Sequence, residues 1–175
     1  LRGVLSAGSV RVSQADYWEF SVAPDLTTLV PAKVAPGWDG GTTKGLVSDS
    51  VVVIVVRKGN PLHIAGWDDL VKPGVQIVTP DPASSGSAKW NILAPYALKS
   101  DGGKNPQAGI DYIKKLVTHI KGQPKSGREA TELFLQGTGD VLMTYENEAL
   151  FNERAGEKVA RINAAWDRIK RERGL

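Results

Sequence analysis

The chain has 175 residues, of which 41% are hydrophobic and 23% are charged; this is typical of one globular domain, alone or with an appendage, and excludes a disordered or fibrous protein. Its 22 basic and 19 acidic residues give a net charge of +3 and are mostly interspersed, which predicts no nucleic-acid partner. The absence of cysteine excludes disulfides, thiol catalysis and cysteine-ligated metal sites.

The first third of the chain predicts little regular structure before one buried strand. Residues 18–24 (WEFSVAP) alternate as a short strand would, and residues 25–30 (DLTTLV) predict one or two helical turns. The run VVVIVV at 51–56 is β-branched and is closed by the turn sequence GNP. It is far too short to cross a bilayer, so it predicts a strand inside a sheet.

From residue 61 onward, helical and strand patterns alternate. The predicted elements are helices at 63–74, 87–100, 105–120, 126–136 and 146–156, strands at 75–79 and 137–145, and a terminal amphipathic helix at 160–175. Helical spacing assigns one set of apolar residues to each helix: Ile64, Trp67, Leu70 and Val71; Trp90, Leu93, Ala94 and Ala97; Ile110, Ile113, Leu116 and Val117; Ala130, Leu133 and Phe134; Ile162, Trp166 and Ile169. This alternation predicts an α/β fold with a parallel or mixed sheet flanked by helices.

Two prolines bear on these helices. Pro106 stands in the first turn of helix 105–120, where the missing N–H is tolerated. Pro95 lies inside helix 87–100 and predicts that this helix is kinked or shortened.

The stretch TPDPASSGSAKWN at 79–91 follows a predicted strand and opens a helix. In an α/β sheet, ligands bind at the carboxyl ends of strands, and the first N–H groups of a helix attract anions. The small residues Ser84, Ser85, Gly86 and Ser87 let an anion approach those groups. The alternative interpretation is ordinary N-capping.

Two further strand ends carry hydrogen-bond donors. Ser126 and Gly127 open a second helix in the sequence KSGREA, and Tyr145 ends the predicted strand 137–145. The alternative for Tyr145 is a half-buried core tyrosine whose hydroxyl is satisfied. Together the three strand ends predict a converging anion site.

The residues indicate binding without catalysis. His63 and His119 stand in unrelated contexts without metal-ligand spacing, and Glu146 and Glu148 are two apart, so their side chains diverge on a helix. The chain has no G-x-S-x-G, Rossmann or Walker A pattern. We therefore predict no enzyme activity, no cofactor and no metal site.

Four separated segments resemble a known family in the same order: residues 50–61, 67–91, 126–131 and 139–149. They are similar to the sulfate-binding proteins of ABC importers, in the two-lobed, type II periplasmic-binding-protein superfamily, and most of all to the actinobacterial sulfate-binding lipoproteins. The resemblance covers residues 15–156. It implies an extracytoplasmic receptor, anchored as a lipoprotein in its full-length form, that binds sulfate or thiosulfate and delivers it to ABC permease subunits in the membrane.

The resemblance also implies which residues hold the anion. The family's Ser-Gly-Gly falls on Ser85, Gly86 and Ser87, its second binding turn on Gly127, and the tryptophan of its WENEA motif on Tyr145. Ser87 and Tyr145 depart from the family residues, but each keeps a donor. Neutral N–H and hydroxyl donors suit sulfate, which carries two charges and no proton at neutral pH.

Family members are about twice this length, and their first lobe supplies further anion contacts. We therefore predict a first-lobe segment with a crossover strand at 1–58, a second lobe at 59–158 and a C-terminal helix at 159–175, with the first lobe largely missing and the chain an excised or mature piece. A half-site leaves the anion in water, so a monomer should bind sulfate weakly or not at all. Unpaired first-lobe segments predict a dimer.

Two other function classes remain as alternatives. LysR-type regulators use the same two-lobed fold as a ligand-sensing effector domain, although this chain has no recognisable helix-turn-helix segment. An oxyanion-handling enzyme would need a nucleophile or metal near Ser85.

Overall fold

The computed structural model describes residues 26–46 and 50–162. The chain divides into two compact units, Leu1–Asp49 and Ser50–Leu175. In the first unit, Leu26 and Thr27 are helical and turns follow, in agreement with the predicted helical turn. The predicted strand at 18–24 lies outside the described residues.

The second unit carries the sheet. Its strands are β1 (Val52–Arg57), β2 (Ile77–Val78), β3 (Ile120–Gly122), β4 (Val141–Tyr145) and β5 (Val159–Ile162). Its helices are a 3₁₀ helix (Trp67–Val71), α1 (Gly86–Lys99), α2 (Pro106–Val117), α3 (Gly127–Leu135) and α4 (Glu146–Arg154).

The five strands form one mixed sheet in the order β3-β2-β4-β1-β5. Strand β2 is parallel to both β3 and β4, whereas β1 is antiparallel to β4 and β5. The predicted mixed α/β sheet is therefore confirmed. Because β2, β3 and β4 run in the same direction, their carboxyl ends lie along one edge of the sheet, hereafter the carboxyl edge.

The core consists of two clusters, and successive strand residues belong alternately to one cluster and the other. Ile54, Val56 and Met143 pack in one buried cluster, which also contains Tyr112 and Leu116 of α2. The other cluster takes the intervening residues of the same strands together with α3 and α4: Val53, Val55, Leu142, Ala130, Phe134 and Ala149. Successive strand residues point to opposite faces, so the sheet is covered by helices on both sides.

Two helices present a different face to the core from the one predicted. In α1 the buried residues are Ala88, Asn91 and Pro95, while Trp90 and Leu93 are 43% and 46% exposed. Hydrogen bonds of the Asn91 side chain, described below, hold this face of the helix inward. In α2, Ile113 and Leu116 face the core as predicted, whereas Ile110 and Val117 are exposed.

Other elements also depart from the predictions. Helix α1 continues through Pro95 to Lys99 and is not shortened. The predicted helix at 63–74 is only one 3₁₀ helix. Residues 120–122 form β3 instead of a helix end, and 159–162 form β5 instead of the start of the C-terminal helix. The remainder of that predicted helix lies outside the described residues, and the predicted domain boundaries stay predictions.

Candidate functional site

The loops after β2 and β3 lie side by side at the carboxyl edge. The N–H of Thr79 donates to the carbonyl of Gly122 at 3.2 Å, and the N–H of Asp81 donates to the carbonyl of Pro124 at 2.8 Å. One step further, Ser84 Oγ donates to the carbonyl of Lys125 at 2.8 Å. These bonds continue the parallel pairing of β2 and β3, so they fix the beginnings of α1 and α3 next to each other.

The first turn of α1 has open N–H donors. Ser85 is its N-cap residue in extended conformation, and its side chain makes no capping hydrogen bond. Ser85 Oγ instead pairs with Ser87 Oγ at 2.9 Å, and the Ser85 N–H donates to the carbonyl of Asp81 at 2.9 Å. Within the described residues, no hydrogen bond engages the N–H groups of Gly86 and Ser87. These two donors are available to a ligand.

The first turn of α3 is capped differently and also leaves donors open. The N-cap Ser126 accepts a bond from the N–H of Glu129 at 3.2 Å, and the Glu129 carboxylate accepts one from the N–H of Lys125 at 3.1 Å. This resembles a capping box, which stabilises the helix start. Among the residues that the structure describes, none accepts a bond from the N–H of Gly127.

The two helix beginnings meet at Ser87 and Gly127. A Cβ placed on Gly127 would lie 3.0 Å from Ser87 Oγ, which is closer than an ordinary van der Waals contact. Gly127 is thus the residue that permits this approach. The positive ends of two helix dipoles, the open N–H groups of Gly86, Ser87 and Gly127, and a serine hydroxyl converge on one region, an arrangement that suits an anion.

Tyr145 lies at the same edge but contributes differently. It is the last residue of β4 and the N-cap of α4. The first donors of α4 are already engaged, because the N–H of Glu146 donates to the carbonyl of Val51 at 2.9 Å and that of Asn147 to Ser50 Oγ at 3.4 Å. Burial raises the pKa of the Tyr145 hydroxyl, so this group keeps its proton well into the alkaline range. Since these backbone donors are engaged, the group of Tyr145 that could donate to a ligand is its phenol hydroxyl.

An ion-pair cluster beside Tyr145 was not predicted from the sequence. Arg161 on β5 contacts the carboxylate of Glu146, and Arg161 Nε lies 3.6 Å from Glu153 Oε2. The N–H of Arg161 also donates to Glu153 Oε1 at 2.8 Å. The arginine therefore offsets the carboxylate of Glu146 at the beginning of α4, which would otherwise repel an anion at the carboxyl edge.

The structure therefore connects four of the five predicted site residues by contacts. Ser85, Gly86, Ser87 and Gly127 belong to the two adjoining helix beginnings, whereas Tyr145 shares only their edge of the sheet. Across residues 26–46 and 50–162, no three His, Cys, Asp or Glu side chains are grouped as a metal would require. No helix in those ranges is long and apolar enough to cross a membrane.

Comparison with known proteins finds a family model and relatives that match most of this chain. A family model described as bacterial extracellular solute-binding protein matches residues 11–169. The sulfate-binding protein of Synechococcus elongatus is 34% identical over 148 residues, which are 83% of this chain and 42% of that protein. The thiosulfate-binding protein of Pseudomonas aeruginosa is 42% identical over 131 residues, covering 73% of this chain and 36% of that protein.

A solved structure shares the fold closely. The sulfate-binding protein of Mycobacterium tuberculosis is 58% identical, with a TM-score of 0.79, over 82% of this chain and 51% of that chain. The chain thus spans about half or less of the relatives that it matches. The predicted fold class, a periplasmic-binding-protein-like lobe with a mixed sheet flanked by helices, is confirmed.

Proposed function

This chain belongs to the bacterial extracellular solute-binding proteins, and we propose that it is part of the receptor of an ABC importer for sulfate, with thiosulfate as the related substrate. The observation that carries the proposal is the meeting of α1 and α3 at Ser87 and Gly127, where N–H donors remain open. The alternative of a LysR-type effector domain has no support in the relatives named above.

The chemistry of the site suits a dianion without protons. Open N–H groups and hydroxyls only donate, and sulfate only accepts, so each contact is a charge-assisted hydrogen bond. The helix dipoles add favourable potential without a buried lysine or arginine. The carboxylate of Glu146 is held by Arg161, which reduces the repulsion that an unpaired carboxylate would exert.

The remaining parts of the proposal follow from the family. The receptor binds its solute without catalysis, acts outside the cytoplasm, is anchored in full length as a lipoprotein, and docks on the membrane subunits of the permease. It takes no nucleic acid and no cofactor. Because these residues supply one side of the site, two copies are proposed to associate through the first-lobe segment.

Isothermal titration at low ionic strength tests this proposal, with the oligomeric state measured by light scattering in the same buffer. We expect sulfate and thiosulfate to bind a monomer with a Kd weaker than about 1 μM, because water screens a half-open site. Chloride should give no saturable heat. Sub-micromolar binding by a monomer would contradict the half-site. A complete absence of sulfate binding by the monomer and by any dimer, at every attainable concentration, would contradict the function.

Replacing Tyr145 by phenylalanine is expected to weaken sulfate binding by roughly three- to fivefold, the value of one modest hydrogen bond. The free energy of unfolding should change little, because no described residue bonds the Tyr145 hydroxyl. Amide NMR titration with sulfate measures the ratio of Kd values even when binding is weak. Tyr96→Phe, toward the other end of α1, is the matched control and should bind as the unaltered chain does. Equal Kd values for both variants would remove Tyr145 from the site.

A further inference from the structure

Helix α1 is oriented on the sheet against its hydrophobic pattern. Trp90 and Leu93 are 43% and 46% exposed, whereas the amide of Asn91 is 0% exposed. Neighbouring helix residues are separated by about 100° around the axis. Trp90 therefore lies about 100° and Leu93 about 160° from Asn91 on the same side of the axis. Turning the helix by an intermediate angle would bury these two larger apolar side chains in place of Ala88, Asn91 and Pro95, so hydrophobic burial alone does not set the observed orientation.

The Asn91 side chain bridges two strand ends at the carboxyl edge. Its Nδ2 donates to Thr79 Oγ1 at 3.0 Å and to the carbonyl of Met143 at 2.8 Å. Thr79 follows β2 and is itself bonded to Gly122 at the end of β3. Met143 lies two residues before Tyr145 in β4. One amide therefore bonds α1 to the residue after β2 and to the middle of β4, and Thr79 extends this connection to the end of β3.

Within the part of the chain that the structure describes, the side-chain oxygen of Asn91 makes no hydrogen bond that would stabilise the fold. Asn91 Oδ1 is buried and has no hydrogen-bond partner among the described residues. A buried acceptor without a donor is unfavourable, and an apolar side chain of similar volume would avoid that cost. That side chain would, however, lose both bonds and take the donor away from Thr79 Oγ1 and the Met143 carbonyl. The contacts that the amide makes, and not its net contribution to stability, therefore point to a role in geometry.

We propose that Asn91 is the positioning residue of the anion site. Its two hydrogen bonds fix the rotation and height of α1 on the sheet, and thereby direct the N–H groups of Gly86 and Ser87 toward the same anion position as the N–H of Gly127. Asn91 does not itself touch the anion. This role rests on the proposed function only for its effect on binding, since the orientation of α1 exists without a ligand.

Asn91→Leu is the direct test, because leucine has the same branching and number of side-chain heavy atoms as asparagine and makes neither bond. We expect sulfate binding to weaken about tenfold, the equivalent of one well-formed hydrogen-bond pair. Without sulfate, the amide NMR signals of Gly86, Ser87 and Gly127 should already shift, while the variant still unfolds cooperatively. Asn152→Leu is the matched control. Asn152 is also buried, but its amide bonds only the carbonyl of Glu148 in its own helix, so the site signals should stay in place.

Asn91→Asp adds a readout that a purely structural role would not give, and it remains informative if the leucine variant does not fold. An ionised aspartate has no proton for the Met143 carbonyl and brings a negative charge under the site, whereas a protonated one can donate one bond. Burial raises the pKa of such a carboxyl. Sulfate affinity of this variant should therefore improve as the pH falls from about 8 to about 5, while the unaltered chain changes little.

The outcomes separate this role from the proposed function. If the unaltered chain does not bind sulfate but the apo signals of Asn91→Leu shift as expected, the function fails and the positioning role stands. If the unaltered chain binds, while Asn91→Leu keeps its site signals and a Kd within about twofold, the role is overturned. A pH response of Asn91→Asp no different from that of the unaltered chain would overturn it as well.

Discussion

Replacing Gly127 by aspartate is expected to weaken sulfate binding at least thirtyfold. The new Cβ would lie 3.0 Å from Ser87 Oγ, which places the carboxylate where the beginnings of α1 and α3 meet. A unit charge about 4 Å from a dianion costs about 2 kcal/mol even in bulk water, or about thirtyfold in Kd, and more where water is partly excluded. Amide NMR titration with sulfate measures the change.

The same substitution should not destabilise the fold, which makes the loss of binding specific. The new Cβ requires the Ser87 hydroxyl to move, but a negative charge in the first turn of a helix interacts favourably with the helix dipole, by about 0.3–1 kcal/mol, so the unfolding temperature should change little. Gly127→Asn is the matched control, because it adds nearly the same volume without charge. Equal affinities for the aspartate and asparagine variants would show that the anion does not lie at Gly127.

A second control addresses net charge. Gln107→Glu adds one negative charge in the first turn of α2, next to Gly109, which packs against Tyr96 and Ser100 toward the other end of α1. That variant should bind sulfate within about twofold of the unaltered chain. If Gln107→Glu and Gly127→Asp lost similar amounts of sulfate affinity, the loss in Gly127→Asp would be explained by long-range electrostatics alone.

Replacing Arg57 by methionine is expected to lower the free energy of unfolding by about 2–3 kcal/mol. The Arg57 guanidinium donates to the carbonyls of Phe134, Thr138 and Gly139 at 2.7, 3.0 and 2.7 Å. It also lies 3.8 Å from the centroid of the Phe134 ring. Arg57 thus holds the carboxyl end of α3, where a positive charge interacts favourably with the helix dipole.

Urea denaturation measures this change, and Lys58→Met is its matched control. Lys58 is the next residue, is exposed and carries the same charge, so its loss should shift the free energy of unfolding by less than about 0.5 kcal/mol. Equal stabilities of the two variants would contradict a structural role for the Arg57 contacts. Since α3 supplies the N–H of Gly127, Arg57→Met is also expected to broaden the Gly127 amide signal.

The sequence predicted the order of the larger elements because the residues that begin, form and end each of them lie within a few positions of one another. The run VVVIVV became β1, Pro106 begins α2, Ser126 caps α3, and Gly156 follows α4 with a φ of 83°. Each of these depends on side-chain branching or backbone restriction within a few residues. The strand ends before Ser85 and at Tyr145 followed from that order, as did the helix that begins at Gly127.

What the sequence did not predict depends on contacts between distant residues. The orientation of α1 depends on Asn91 reaching Met143, 52 positions away, whereas apolar spacing favoured burial of Trp90. Strands β3 and β5 are only three and four residues long and are recognisable chiefly from their pairing partners. The pairing of Arg161 with Glu146 joins a strand to a helix and follows no fixed spacing.

A crystal structure grown with selenate tests the position of the anion most directly. Selenate has the shape and charge of sulfate and gives an anomalous signal. We expect one anomalous peak within hydrogen-bond distance, about 3 Å, of the N–H groups of Gly86, Ser87 and Gly127. In Gly127→Asp crystals grown from the same solution that peak should vanish. A peak elsewhere, or an empty region between the beginnings of α1 and α3 at saturating selenate, would contradict the account.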